Sequence, residues 1–178
     1  MLKIKLAPNR TKRDLRRLLG PCVIRRRRDG SFSISPPRDT SGRVFSEGQL
    51  QQQGRFRQAA FYAREAARTE PIYAERARGT GRTAYNLAVS DWWHPPVIHQ
   101  IQFLRTDGRI RVQARDNVMV TKVEVTLLDE HGGILEQGAA LPVEGDWWEY
   151  VPGQMSRAIT AITATAWDLA GNVTKAML

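Results

Sequence analysis

The chain has 178 residues, 42% of them hydrophobic and 25% charged, and a formal net charge of +9, a balance that excludes wholesale disorder. Its single cysteine, Cys22, excludes an internal disulfide and any cysteine-based zinc site, and no window approaches the roughly 18 apolar residues of a membrane span. The charge is unevenly placed: residues 1–90 carry 20 Lys and Arg against 7 Asp and Glu, and residues 91–178 carry 7 against 11. Such a division joins a part that grips something anionic to a part that folds on its own. Three regions follow from it: a basic arm over 1–45, a helical unit over 46–94 and a β-sandwich over 95–178.

The start, Met1-Leu2-Lys3-Ile4-Lys5-Leu6-Ala7-Pro8, lacks the apolar stretch of a signal peptide. The expected location is the cytoplasm, or a particle assembled there. Residues 9–19 place Leu15, Leu18 and Leu19 at helical spacing among arginines and predict a short basic amphipathic turn, closed by Gly20-Pro21. In the stretch 22–35, Asp29-Gly30 separates two β-prone runs, the signature of a tight hairpin. Strand side chains alternate, so Arg25 and Arg27 point one way, Arg26 and Arg28 the other, and both faces of this ribbon cannot enter an apolar core. Pro36-Pro37 then begins a turn-rich linker.

Ser46-Glu47-Gly48-Gln49 has capping-box spacing and predicts a helix from there to Thr69. Phe56, Ala59, Ala60, Ala63 and Ala67 form its expected apolar stripe, with Arg57, Arg64 and Arg68 as a cationic row beside it. Glu70-Pro71 opens a second helix, because proline suits the first helical position. A third is expected over Thr83–Asp91 and ends before Pro95-Pro96.

From Val97 the texture becomes β-branched and alternating, with strands expected at 97–103, 109–113, 121–128, 134–136, 147–151 and 158–167. Asp107-Gly108, Asp116-Asn117, His131-Gly132-Gly133, Gly145-Asp146, Pro152-Gly153 and Gly171-Asn172 supply the turns. Short strands at this spacing describe an antiparallel sandwich, so the fold class is α+β. Val123, Val125 and Leu127 belong to its inner face.

Asp116-Asn117-Val118, the strand Val120-Thr-Lys-Val-Glu-Val125 and the run Ala166-Trp-Asp-Leu-Ala-Gly-Asn172 together resemble bacterial Ig-like or fibronectin-like modules, over roughly residues 95–178. The resemblance implies a β-sandwich and names no ligand. The N-terminal half, with Pro36-Pro37, Ser46-Glu-Gly-Gln-Leu50 and Tyr85-Asn-Leu-Ala-Val-Ser-Asp91, is similar to a group of uncharacterised bacterial proteins.

The strongest candidate site is anion-binding: Arg10, Lys12, Arg13, Arg16, Arg17, Arg25, Arg26, Arg27 and Arg28, extended by Arg57, Arg64 and Arg68 on the first helix. Guanidinium groups present a planar fork to phosphate or carboxylate. Docking on an acidic protein, or a simply solvated surface, is favoured over nucleic acid, because Phe32 and Phe45 are the only aromatic residues of the arm for base stacking. Trp92-Trp93 and Trp147-Trp148-Tyr150 read as packing before they read as a glycan-binding surface. Asp116, Asn117, Asp168 and Asn172 have the oxygens for Ca²⁺, yet they are also what turns require, and no metal or other cofactor is expected. His94, His99 and His131 lack zinc-ligand spacing, and Ser90-Asp91 beside His94 is adjacency at a helix end. The sequence therefore points to a non-enzymatic assembly protein that docks on a protein partner or another copy of itself, with nucleic-acid binding through residues 1–68 and an exported glycan-binding module as alternatives.

Overall fold

The computed structural model describes residues 2–4, 17, 20–26, 31–39, 41–153 and 159–178. Apart from Arg17, the basic turn expected over 9–19 lies outside these residues, as do the Asp29-Gly30 corner, Arg10, Lys12, Arg13, Arg16, Arg27 and Arg28. The chain divides into two units at Glu47/Gly48.

The first unit holds an antiparallel sheet of β1 (Leu2–Ile4), β2 (Val23–Arg26) and β3 (Phe32–Ser35) in the order β1-β3-β2. The expected ribbon is there, with Ile24 opposite Ile34 and Arg25 opposite Ser33. The third strand, β1, lies in Leu2-Lys3-Ile4-Lys5-Leu6, whose apolar–polar alternation is a strand signal that the sequence reading passed over.

The second unit begins with three helices: α1 (Glu47–Thr69), α2 (Pro71–Ala77) and α3 (Ala84–Trp93). Their bounds follow the sequence reading closely, and Thr83 caps α3 by accepting a 3.1 Å bond from the Asn86 backbone N–H. The apolar stripe of α1 needs a correction. Ala59, Ala63 and Ala66 are its buried residues, whereas Phe56 is 54% exposed. Residues 55–58 are all exposed, so packing selects the alanines of the C-terminal half and not the full stripe. Ala63 and Ala66 meet Tyr73, Ala77, Leu87, Ala88 and Val118 in a small core.

Two four-stranded antiparallel sheets complete the unit. One is ordered β11-β10-β6-β7, from β6 (Val120–Leu128), β7 (Ile134–Ala139), β10 (Ala161–Asp168) and β11 (Val173–Met177); the other is β4-β5-β9-β8, from β4 (Val97–Leu104), β5 (Arg109–Arg115), β8 (Leu141–Pro142) and β9 (Trp147–Tyr150). Ile110, Val112 and Ala114 of β5 pack with Val123, Val125 and Leu127 of β6 and Ile162, Ala164 and Ala166 of β10, so the two sheets share one core. Each Val, Leu or Ile buried there contributes about 1.5–3 kcal/mol. The architecture is a mixed α+β arrangement whose sheets pack as a sandwich. No helix among the described residues is long and apolar enough to cross a membrane.

One glycine is fixed by a close approach. A Cβ on Gly138 of β7 would sit 2.6 Å from Cε2 of Tyr150 on the facing sheet, a buried ring whose hydroxyl donates a 2.6 Å bond to Glu136. Gly138→Ala should therefore destabilise the protein by about 1–3 kcal/mol, read as a lower urea midpoint. An unchanged midpoint would mean that the ring has room to move.

Candidate functional site

Among the predicted anion-binding residues, Arg25 stands on β2 with its side chain exposed while Ile24 turns inward. Arg26 occupies the next position of the ladder, opposite Phe32, and Arg17 is exposed. Among the described residues, no ion pair reaches Arg17, Arg25, Arg38 or Arg43. The guanidinium of Arg43 instead lies 4.9 Å from the ring centre of Phe45. Arg57, Arg64 and Arg68 are all exposed on α1, and Arg68 is held by Glu65 at 2.8 Å. In the sandwich, Arg105 and Lys175 likewise have no ion pair among the described residues, but other cations there are paired. Arg109 and Arg111 converge on Glu149 at 2.8 and 2.9 Å, and Lys122 pairs with Glu124 at 2.8 Å.

Beside Arg57, a groove of about 750 Å³ runs between α1 and α3, lined by Phe61, Tyr62, Ala66, Trp92 and Leu169. Trp92 and Trp93 are both half-buried and meet edge to face at 5.4 Å. Trp148 packs against the sandwich core. The tryptophan pairs are thus largely packing groups.

A second site lies where α3 meets the sandwich, and it is built from carboxylates. Asp91 sits on the inner face of α3, one helical turn beyond Leu87, and is fully buried. Asp116 follows β5 and folds its loop by accepting the backbone N–H groups of Val118 and Met119 on Oδ2, at 2.7 and 3.0 Å. That turn drives Val118 into the helical core, carrying Asp116 toward Asp91. Asp168 ends β10 and is 3% exposed. It accepts the Asn172 backbone N–H at 2.7 Å and the Asn172 side-chain amide at 2.7 Å, in a turn that Gly171 closes at φ +86°. A residue with a Cβ is strained at that angle. Asn172 also donates to the Asp91 backbone carbonyl at 3.0 Å, tying the turn to the helix.

One oxygen from each of Asp91, Asp116 and Asp168 lies within 4.8 Å of the others. A hydroxyl chain feeds the cluster. Tyr73 donates to Asp91 Oδ2 at 2.6 Å, and since its one proton is spent there, Tyr62 donates to Tyr73 across 2.6 Å. Oδ1 of Asp91 and Oδ1 of Asp116 are buried and receive no donor. Burial pushes the Asp91 carboxyl up to about 7; the Tyr73 bond opposes this, while the Asp116 and Asp168 charges reinforce it. Burial also raises Asp168, against the pull of its Asn172 bonds, and raises Tyr73 far above the ordinary phenol range. No ion pair among the described residues includes any of the three carboxylates. This negative charge must be met by a proton or a cation, because isolated buried carboxylates are very costly.

Two members, Asp116 and Asp168, belong to the set of turn residues whose oxygens the sequence singled out. Asn117 of that set instead donates to Ser90 Oγ at 3.2 Å, and Asp91 takes its place. Its signal was an acidic residue at i+3 and i+4 from Ala88 and Leu87, on the apolar face of the third helix. His94 makes no triad; its Nδ1 lies 2.6 Å from the Ser90 carbonyl, a closing bond at the helix end. Comparison of the chain with protein-family models, with curated proteins and with solved structures finds no match.

Proposed function

We propose that the chain is a non-enzymatic assembly protein, in which the arginine-bearing N-terminal sheet docks on an acidic surface and the sandwich serves as a rigid interaction module. The observation that carries this reading is the contrast in charge pairing. Arg109, Arg111 and Arg115 of the sandwich find carboxylates within their own fold, whereas Arg17, Arg25, Arg38 and Arg43 have no ion pair among the described residues. Uncompensated guanidinium groups repel one another and favour an anionic partner. The surplus acid of residues 91–178, including exposed Glu130, Glu144 and Asp146, makes a second copy of the chain a suitable one. A head-to-tail contact of that kind builds rings or filaments.

The strand order supports an Ig-like reading of the sandwich. Counted from β4, one sheet holds the first, second, sixth and fifth strands; the other holds the eighth, seventh, third and fourth. With the fourth taken as C′, this corresponds to the A-B-E-D and G-F-C arrangement of that architecture.

Mass photometry across ionic strength tests the proposal. The expected result is assembly at low salt that dissolves as salt screens the contact, over a Debye length of about 10 Å at 0.1 M, and that is lost when Arg25, Arg26, Arg27 and Arg28 are all replaced by Ser. A strict monomer at every ionic strength overturns docking on a second copy. Retention of that monomer on DNA, with a log–log salt slope that falls by about 3–4 in the four-fold variant, would favour the nucleic-acid alternative.

A further inference from the structure

We propose that Asp91, Asp116 and Asp168 form a binding site for a hard divalent cation of the calcium–magnesium class, at the joint between α3 and the loops that follow β5 and β10. The site is separate from the arginines and independent of the docking reading. Two observations carry it. One oxygen from each carboxylate falls within 4.8 Å of the others, and oxygens around one calcium, bound at about 2.3–2.6 Å, are never more than about 5 Å apart. Asp91 is fully buried, and its Oδ1, together with Oδ1 of Asp116, is left without a donor in this cluster.

The remaining oxygens are already engaged in ways that orient the carboxylates. Tyr73 holds Oδ2 of Asp91, the Val118 and Met119 amides hold Oδ2 of Asp116, and Asn172 holds both oxygens of Asp168. Such outer bonds fix metal-ligating carboxylates, and Asn172 is a positioning residue by this argument. An all-oxygen, anionic donor set selects hard cations over zinc or copper. Of the three carboxylates, Asp116 is the one that borders a surface cavity, of about 470 Å³, with His94, Asn117 and Asp146, and Arg76 and Arg115 share its wall. Arg115 lies 3.9 Å from Asp146, and neither arginine pairs with Asp116.

The test uses the full chain. Its divalent metal content is measured first by mass spectrometry; the protein is then stripped with EDTA, dialysed at pH 7.5, and melted in CaCl2, in MgCl2 and in KCl of matched ionic strength. Saturating Ca²⁺ or Mg²⁺ should raise Tm by about 5 °C or more. Asp116→Asn, which keeps an oxygen for the Val118 and Met119 amides, should abolish the rise. Should that variant fail to fold, Tb³⁺ luminescence of the wild type, sensitised through Tyr73 and Trp92 and displaced by Ca²⁺, reads the same site. The proposal is overturned if neither salt moves Tm beyond the KCl control and no divalent ion accompanies the purified chain, which would leave a proton shared by Asp91 and Asp116 as the neutralising species. It is equally overturned if Asp116→Asn keeps the full rise.

Discussion

Tyr73→Phe should cost about 2–3 kcal/mol, because the lost hydroxyl is a buried donor to a carboxylate and also the acceptor for Tyr62. Hydrogen bonds to charged groups contribute about 1.5–3 kcal/mol, and an unsatisfied buried partner adds its own desolvation. Tyr73 is fully buried among Ala63, Ala66, Leu87 and Ala88, so water cannot replace its hydroxyl without opening the small core. The Tyr62 hydroxyl keeps a fallback in the Leu169 carbonyl at 3.3 Å; Asp91 Oδ2 has no second donor among the described residues. For a chain of this size the loss corresponds to a Tm lower by about 4–12 °C. It should be larger at pH 8 than at pH 5.5, since the Tyr73 bond favours the ionised form of Asp91 and is worth most when the proton is absent. Chemical denaturation at both pH values checks this; a variant within 0.5 kcal/mol of wild type at pH 8 (a roughly twofold change in the folding constant) would show that Tyr73 does not support the carboxylate.

The sandwich was legible wherever burial alternates along a strand. Ile110, Val112 and Ala114, or Val123, Val125 and Leu127, announce their face because every second side chain enters one core. β11 escaped the sequence reading for the converse reason: its apolar residues Val173 and Met177 face outward, 46% and 71% exposed, as edge strands permit. The closeness of Gly138 to Tyr150 could not be read at all, since the ring arrives from the facing sheet. On α1, periodicity located a stripe but not where along the helix packing partners begin, and Phe56 was misplaced on that account. The basic character of the first unit was plain from composition, because a surplus of arginine over carboxylate is a property of counting. The carboxylate cluster was only half visible. Asp116 and Asp168 lie at turns that are recognisable locally, whereas the burial of Asp91 depends on two distant loops closing over one helix.

Asp91→Asn is expected to stabilise the stripped protein at pH 8, an unusual sign for a substitution at a fully buried position. An asparagine oxygen can still accept from Tyr73, and its amide can donate toward Asp116 Oδ1, reproducing the protonated acid without a charge. The size of the gain follows from linkage. Asp91 titrates near 7 in the folded protein, while an unfolded aspartate titrates near 3.9. Between these values the folded state binds the extra proton, so stability is greatest below the unfolded value and is lost as pH rises through 7. Wild type in EDTA should therefore gain roughly 2 kcal/mol on acidification from pH 8 to 5.5, at up to 1.36 kcal/mol per unit. Asp116, Asp168 and the Tyr73 and Tyr62 hydroxyls are the titratable groups around Asp91. Glu124 and Glu149, whose carboxyls are held low chiefly by hydrogen bonds from Lys122 and Arg111, oppose the trend only at lower pH. The difference between wild type and Asp91→Asn isolates the one proton from the histidines, which both proteins share. Saturating Ca²⁺ should reverse the slope in wild type, because a cation binds the ionised carboxylates and competes with the proton, and should leave Asp91→Asn nearly unaffected. If the two proteins have parallel pH profiles in EDTA, the Asp91 carboxyl is not the group that carries the buried proton.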